Sequence, residues 1–333
     1  MATFFDLQAR NRRKTRIVVV CFVLFFIWLG LGLDLTLHFL GEVPDTDSSA
    51  SSARPKPQKH FYPVFTLIVG LAGVGLAWWN MSHAASTVLK AMVARPADKT
   101  RSPQEMALIN VVEEMSIASS VAPPRSWIIP DPDPNALAVG MKDGDYHIAV
   151  TTGLVNVLTR DELQAVVAHE IAHLKNQDTR LMTVLTVLVG LAALISEFVA
   201  RTRLRLNWND SDNKDSRIGM VIFLLWVVSA LFAPLATRLM ALMVSREREY
   251  LADASSAQFT RNPEGLARAL AKIARASGPT AAVKPASAHL CIASPAAADL
   301  GDAVGISWFA THPPIAQRIE RLMSIGRANR SNQ

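Results

Sequence analysis

The sequence is poor in charged residues and in cysteine, and both shortages narrow what the protein can be. Asp, Glu, Lys and Arg make up 19% of the 333 residues, whereas half of the chain is hydrophobic. This balance, with a mean hydropathy of +0.22, is typical of a protein whose apolar surface partly faces lipid. There are only two cysteines, and Cys21 falls within an apolar run, so a disulfide framework is not expected.

The chain also lacks a basic patch interleaved with aromatic residues, although its net charge is +6. Basic residues that flank membrane spans explain this surplus, and we expect no nucleic-acid partner. No small-residue cleavage site closely follows the first apolar run. We therefore expect that run to be a membrane anchor and not a signal peptide that is removed.

Four apolar segments predict transmembrane helices at 17–40, 61–80, 181–200 and 218–240. Each has at least the roughly 20 residues that a helix needs to cross a bilayer. The 181–200 segment is the weakest because it reaches its end only by including Glu197, and a re-entrant helix is the alternative there. The pattern predicts a mainly α-helical, multi-pass integral membrane protein with about four spans, in contact with the lipid bilayer.

The polarity of the connecting segments predicts their side of the membrane. The tail at 1–16 is strongly basic, so the positive-inside rule places it in the cytoplasm and the polar loop at 41–60 outside. The loop at 201–217 fits less well, because it should be external and yet has more basic than acidic residues. The polar segments 81–180 and 241–333 would then lie on the cytoplasmic side.

The polar stretches 81–180 and 241–333 are expected to form the two parts of one catalytic domain. Ser102–Glu105 and Thr159–Glu162 have the pattern of capping boxes, each of which begins a helix. Strand candidates at 136–139 and 146–151 lie between them, joined by a turn-prone segment at 142–145. We expect an α+β domain with a small β-sheet.

The second of these helices carries His169-Glu170-Ile171-Ala172-His173, an H-E-x-x-H pattern. Histidines four residues apart lie on one helix face, so both imidazoles can bind one metal ion. Glu170 is displaced around the helix, where it can reach a metal-bound water as a general base. The pattern predicts a catalytic site for one Zn²⁺ per chain that still needs a third ligand from elsewhere; two histidines that merely face solvent are the alternative.

Glu249 is the best candidate for the third ligand, with Glu247 as a competitor. Asp253 lies four residues after Glu249 on the same helix face, where it could accept a hydrogen bond from a ligand histidine. The alternative is a helix surface with ordinary salt bridges. Two apolar segments separate His169 from Glu249, an even number, so both would emerge on the same membrane face.

Three segments in this order also carry a family resemblance. They are Ala168–Leu174, Ser245–Asp253 and Thr311-His312-Pro313-Pro314 through Ile319. They closely resemble the HtpX-type membrane metalloproteases, which are gluzincins related to the CAAX prenyl endopeptidases. The similarity covers about 102–322 and implies a zincin-like fold in a bacterial plasma (inner) membrane.

The resemblance also implies roles for individual residues. Zinc ligands would be His169, His173 and Glu249, with Glu170 as general acid and base and Asp253 supporting a ligand histidine. His312 and Arg318 would lie near the substrate and stabilise the oxyanion. An extended peptide would lie against the strand formed by Asn135, Ala136, Leu137, Ala138 and Val139. The implied function is a zinc endopeptidase that cleaves membrane or membrane-proximal proteins in quality control.

Two other functions are alternatives to a peptidase. A catalytically silent scaffold would keep the zinc fold, but the intact Glu170 speaks against it. An ion transporter would use the polar residues in or near spans, namely Asp34, His38 and Glu197. A further hypothesis is that the segment 278–310, rich in alanine, proline and serine, is a flap over the site. The sequence gives no indication of the oligomeric state.

Overall fold

The computed structural model describes residues 4–40, 61–141, 144–186, 221, 223–228, 246–276, 290–292 and 313–331. The helices are α1 (Phe4–Leu40), α2 (Val64–Ala91), α3 (Pro103–Ser119), α4 (Thr152–Val157), α5 (Arg160–Lys175), α6 (Arg246–Thr260), α7 (Pro263–Arg275) and α8 (Ile315–Ser331). The strands are β1 (Arg95–Pro96), β2 (Arg125–Ile129), β3 (Ala136–Gly140) and β4 (Tyr146–Thr151). Residues 178–186 and 223–228 are also helical.

The chain divides into two compact units. One unit, called the apolar unit below, comprises residues 17–79 and 191–236. The other, called the catalytic unit, comprises residues 1–16, 80–190 and 237–333. The two polar parts that the sequence predicts as one domain thus fall in the same unit.

The apolar unit contains the long hydrophobic parts of α1 and α2. Within α1, Asn11–Thr36 is long and apolar enough to cross a membrane. In α2, Val64–Trp79 and Met81–Ala91 pass the same test only as a pair, because the helix bends by 67° between them. The described residues therefore hold one or two candidate spans. The predicted spans 181–200 and 218–240 and the loops 41–60 and 201–217 lie mostly or wholly outside the described residues, so four spans remain a prediction.

The start of α2 is fixed by a carboxylate from α1. Asp34 Oδ1 accepts a hydrogen bond from the Phe65 backbone N–H (3.0 Å), and Oδ2 accepts from the Thr66 N–H (2.7 Å) and hydroxyl (2.6 Å). The first N–H groups of a helix have no partner within it, so Asp34 acts as a cap supplied by another helix. Gly30 permits this approach, since a Cβ there would lie 2.6 Å from the Phe65 carbonyl oxygen. Asp34 thus has a structural role, which removes support for a transport pathway through it.

The catalytic unit contains a four-stranded sheet in the order β1-β2-β4-β3. β2 and β4 are parallel, while β1 pairs with β2 and β3 pairs with β4 in antiparallel fashion. The predicted strands correspond to β3 and β4, and both are buried along their whole length. Strand β2 is not among the strands predicted from the sequence; prolines at 123, 124 and 130 bound it on both sides.

Both predicted capping sites begin helices, but only one is a complete capping box. At the start of α5, Thr159 accepts from the Glu162 N–H, and the Glu162 carboxylate accepts from the Thr159 N–H. At the start of α3, the Ser102 hydroxyl accepts from the Glu105 N–H. The Glu105 carboxylate instead binds the Arg95 guanidinium (3.0 and 2.6 Å) and the Asp98 N–H (2.8 Å). This ties the start of α3 to β1 instead of closing a local box.

The helix α5 lies at the centre of the catalytic unit. It packs against α3, α6, α7 and the sheet. Its Val166, Val167, Ala168 and Ile171 side chains have no measurable exposure. Apolar burial of this extent fixes the rotation of α5 about its axis. The helix therefore presents its histidines in one defined direction.

Candidate metal centre

The H-E-x-x-H residues lie in the buried second half of α5. His169 and Glu170 are 0% and 2% exposed, and only the edge of His173 reaches the surface. One helical turn separates the two histidines, and their Nε2 atoms lie 3.1 Å apart. The two imidazoles therefore converge on one point, as their spacing predicts.

The third group comes from α6. Glu249 is 2% exposed, and its carboxylate oxygens lie 3.9 Å from His169 Nε2 and 3.7 Å from His173 Nε2. Ligand atoms of His169, His173 and Glu249 all lie within 4.8 Å of one another, so the three could hold one metal ion. The side chain of the competitor, Glu247, lies outside what the structure describes.

A carboxylate lies against the other ring nitrogen of each histidine. Asp253 Oδ1 lies 3.0 Å from His169 Nδ1, and Asp178 Oδ2 lies 3.1 Å from His173 Nδ1. Asp253 is the residue that the sequence suggested for this position. Asp178 belongs to no sequence pattern that predicts this role; it is 1% exposed, and Arg248 lies 3.8 Å from it. At His173 this contact is a hydrogen bond, and such a carboxylate fixes which ring nitrogen carries the proton. At His169 it is a close ion-pair contact in which Nδ1 makes no hydrogen bond within the described residues.

This arrangement fits a cation at the centre of the three groups. With protons on the two Nδ1 atoms, both Nε2 atoms present lone pairs to each other at 3.1 Å. Tetrahedral ligands on zinc would place the two nitrogens about 3.3 Å apart, given Zn–N bonds of ~2.05 Å. Burial lowers the pKa of His169 to about 4, which keeps its lone pair available. Although burial disfavours a charged His173, the neighbouring Asp178 and Glu249 carboxylates raise its pKa to about 9, so a proton or another cation is favoured at its Nε2.

Glu170 lies in the same cavity without being one of the three converging groups. Burial raises its pKa to about 7, and the Glu249 carboxylate adds to the effect. The cavity has a volume of about 20 Å³, close to the 10–15 Å³ that is the least needed to hold a water molecule. Besides Glu170, its lining includes His169, His173 and Cys291. A buried carboxyl group with this pKa can accept or donate a proton near neutral pH.

Arg318 lies behind the histidines and is fully buried. Its Nε and Nη2 donate to the two oxygens of Asp253 (2.9 and 2.7 Å), and Nη1 donates to the Ile292 carbonyl (3.1 Å). Nη2 also lies 3.3 Å from His169 Nε2. Most of the guanidinium is thus engaged in holding Asp253, which in turn faces His169. His312, the other residue expected near the substrate, lies outside the described residues.

The strand β3 is at the edge of the sheet and packs against α5, which carries the H-E-x-x-H residues. Its outer side is partly covered by Leu290–Ile292, where Leu137 and Cys291 form an antiparallel bridge. The Ile292 N–H donates to the Ala136 carbonyl (2.9 Å). These three residues also line the cavity of the metal centre. They belong to the segment 278–310, the rest of which lies outside the described residues.

Comparison with known proteins agrees with this geometry. The profile of Peptidase family M48 matches residues 102–325. The chain is 32% identical over 325 residues to a "Protease HtpX homolog" of Caldanaerobacter subterraneus subsp. tengcongensis, covering 97% of this chain and 98% of that protein. A protein with the same description from Streptococcus equi subsp. equi is 41% identical over 219 residues, 64% of this chain and 71% of that protein.

Among solved structures, Ste24p of S. mikatae aligns with a TM-score of 0.43 and 19% identity, over 95% of this chain and 66% of that chain. The family profile covers more than half of the sequence, and a relative with 32% identity spans nearly all of it. The chain therefore belongs to peptidase family M48, a family of metallopeptidases.

Proposed function

We propose that the protein is a zinc-dependent endopeptidase that hydrolyses peptide bonds of membrane or membrane-proximal proteins, in membrane protein quality control. The observation that carries this proposal is the convergence of His169, His173 and Glu249 beside the Glu170 carboxylate, in a cavity about the size of one water molecule. Membership of a peptidase family supports the reaction type.

His169, His173 and Glu249 would hold the zinc ion, because two imidazoles and one carboxylate are a donor set that catalytic zinc sites use. When bound, zinc lowers the pKa of water from about 15.7 toward 7 and polarises a carbonyl group. Asp253 and Asp178 hold the two imidazoles with Nε2 directed at the ion. Arg318 acts through Asp253, so it is in the first place a positioning residue for His169.

Glu170 takes the proton from the attacking water and later returns it to the leaving amine. Burial raises the pKa of Glu170 above the ordinary value for a glutamate, which favours a group that must accept a proton and then release it near neutral pH. Arg318 Nη1 and His312 are the candidates for binding the oxyanion. The Arg318 group already binds a carbonyl oxygen, that of Ile292, which shows that it can serve as a carbonyl donor.

A substrate peptide would pair with the outer edge of β3, because a strand at the edge of a sheet offers N–H and C=O groups that an added strand can bind. Ala136 and Leu137 are covered by Leu290–Ile292, whereas Ala138 and Val139 follow towards the end of the strand. A peptide that uses the full length of Asn135–Val139 would therefore have to displace Leu290–Ile292. This gives the flap hypothesis for the segment 278–310 a specific contact.

The location we propose is a bacterial inner membrane, with several spans and the active site on the cytoplasmic face. The outward-facing apolar side chains of α1 and α2 support contact with lipid; Leu24, Leu67 and Leu71 are 56%, 64% and 64% exposed. The basic tail before the first span supports the orientation. Substrates within or close to the membrane follow from a site tethered there.

The test is to compare the purified protein with Glu170→Gln and with Glu113→Gln, an exposed glutamate on α3 as matched control. We expect Glu170→Gln to retain one zinc ion per chain and to cleave casein and a short peptide roughly 10²- to 10⁴-fold more slowly, because the general base is lost. Zinc is measured by elemental mass spectrometry. Undiminished cleavage by Glu170→Gln, or a wild-type protein that neither binds zinc nor responds to a chelator, would overturn the proposal.

A further inference from the structure

A second cavity in the catalytic unit has no part in the peptidase mechanism. Its volume is about 240 Å³, roughly eight times the ~30 Å³ that a water molecule occupies in the liquid. Arg12, Tyr146, Gln177, Thr179 and Arg180 supply its polar lining. No acidic residue is among the described residues that line it. A roomy cavity with two guanidinium groups and no carboxylate is suited to an anion.

Two arginines line the cavity, and neither forms an ion pair with a carboxylate in the described part of the chain. Arg12 Nε donates to Gln177 Oε1 (2.8 Å), and next to it Asn11 Nδ2 donates to the Asn176 carbonyl (3.2 Å), which fixes the start of α1 against the end of α5. Arg180 Nε is buried and has no hydrogen-bond partner in the described part of the chain. Buried donors in native proteins nearly always have a partner.

Thr179 provides a second unsatisfied group at the same cavity. Thr179 is only 3% exposed, and its Oγ1 has no hydrogen-bond partner among the described residues. The residue also borders the metal centre, but its neighbour Arg180 does not. Two adjacent donors without acceptors, both lining one cavity, indicate a missing ligand with several acceptor oxygens. A phosphate group has this chemistry, and the planar fork of arginine binds it through two hydrogen bonds.

The position in the sequence indicates where such a group would come from. Arg12 lies five residues before Ile17, where the apolar run of α1 begins, and Arg180 directly precedes the apolar segment that starts at Leu181. Both arginines therefore stand where chain segments pass from water to an apolar region. In a bilayer this is the level of the lipid phosphates, and basic pockets at the cytoplasmic side bind anionic head groups.

We infer that this cavity is a binding site for a phosphate-bearing anion, held by Arg12, Arg180 and Thr179. The phosphate of an anionic phospholipid and free inorganic phosphate share this chemistry. The site is independent of peptide hydrolysis, because it uses none of the residues assigned to the reaction.

The test uses the full-length protein in maltoside detergent, with phosphatidylglycerol as the lipid probe. Native mass spectrometry measures retained lipid for the wild type, Arg12→Gln, Arg180→Gln and the matched control Arg13→Gln. Arg13 is exposed on the same helix as Arg12 and does not line the cavity, and Arg13→Gln removes the same charge as Arg12→Gln. We expect lipid affinity to fall roughly tenfold in each cavity variant, because a charge-assisted hydrogen bond is lost, and to change less than about twofold in the control.

Two further arms separate the phosphate sources and exclude misfolding. In the first arm, inorganic phosphate alone is added to lipid-free protein. A higher melting temperature for the wild type but not for Arg180→Gln identifies a soluble anion as the ligand. If phosphate has no effect and the lipid raises the melting temperature, the ligand is a lipid head group. Arg180→Lys keeps the charge and should recover part of the binding if the site is real. The inference is overturned if Arg12→Gln and Arg180→Gln fold and retain lipid as the control does, or if neither probe binds the wild type.

Discussion

In the apolar unit many large hydrophobic side chains of the described residues are exposed, for example Leu67 (64%) and Trp78 (69%). In the catalytic unit several charged side chains are buried, among them Glu249 (2% exposed) and Arg318. Exposed apolar surface of this extent and buried charged groups are both unusual in a water-soluble globular protein. The first suits contact with lipid, and the buried carboxylates suit binding of a cation.

The comparison also shows two different ways of using a buried carboxylate. In the apolar unit Asp34 accepts three hydrogen bonds from the start of one helix and stabilises that helix end. In the catalytic unit Asp253 joins α6 to Arg318 on α8 and to His169 on α5, so that one carboxylate connects three helices. The cost of removing a partner should therefore be larger for Asp253 than for Asp34.

The largest stability effect is expected for Arg318→Met. The substitution leaves Asp253 buried without its cationic partner, which typically costs about 3–5 kcal/mol. Thermal and chemical unfolding, measured with a chelator present, separates this loss from any change in metal binding. The control is Arg321→Met on the same helix, where the guanidinium lies over the Tyr250 ring at the surface and contributes less than about 1 kcal/mol. Equal losses of stability in both variants would show that the Arg318–Asp253 pair stabilises the fold no more than the surface contact of Arg321 does.

A smaller effect is expected for Asp34→Ala in the apolar unit. The change leaves the first N–H groups of α2 without an acceptor and should lower stability by about 2 kcal/mol. Thr66→Val removes only the hydroxyl donor and should cost about half as much. Both are compared by thermal unfolding in the same detergent. If Asp34→Ala unfolds at the wild-type temperature, the cap is dispensable and another role for this carboxylate would have to be considered.

The sequence predicts the parts of the metal centre that depend on local periodicity. His169, Glu170 and His173 sit on one capped helix, so the 3.6-residue repeat alone places the two imidazoles on one face. The spacing of Glu249 and Asp253 places both on one face of α6 for the same reason. Their approach to α5 depends on tertiary packing, and here the even number of apolar segments supplied the only independent support.

The features that the sequence did not reveal depend on turns and on long-range pairing. Asp178 reaches His173 because the chain leaves α5 through Gln177, which adopts a left-handed conformation (φ 56°) that non-glycine residues rarely show. The pairing of Cys291 with Leu137 joins residues far apart in the chain and follows from no periodic pattern. Similarly, the Glu105 carboxylate does not complete the predicted capping box, because it accepts two charge-assisted hydrogen bonds from Arg95 instead.

The contact between Leu290–Ile292 and β3 can be tested by a reversible cross-link. In a Cys21→Ser background, Leu137→Cys would face Cys291 across the antiparallel bridge, at a Cα distance suited to a disulfide. If a peptide must displace this segment, oxidation should reduce cleavage at least about tenfold, or roughly 1.4 kcal/mol, and reductant should restore it. The control is Leu137→Ser treated with the same oxidant. Full activity of the cross-linked protein would mean that Leu290–Ile292 stays on β3 during cleavage.

The smallest effect is expected at Glu105, a buried carboxylate of the catalytic unit that lies away from the metal centre. Its hydrogen bonds with Arg95 hold the pKa of Glu105 below the usual value of 4.5, in spite of burial. Because the pKa is lower in the folded protein, this stabilisation is present above about pH 4.5 and is lost as the pH falls through the folded-state value. Glu105→Gln lacks the titrating group, so it should be less stable than the wild type by about 1 kcal/mol at neutral pH.

The stability difference between wild type and Glu105→Gln should therefore shrink as the pH falls below about 4.5. Histidine and metal titrations occur in both proteins and cancel in this difference. Arg95 is partly exposed, with 35% of its side chain accessible, so water screens this pair more than it screens Asp253 and Arg318. A constant difference across the pH range would show that Glu105 acts through packing and not through its charge. The stability lost in Glu105→Gln at neutral pH can then be compared with the stability lost in Arg318→Met. The comparison measures how much the burial of both partners adds to the stabilisation by an ion pair in this unit.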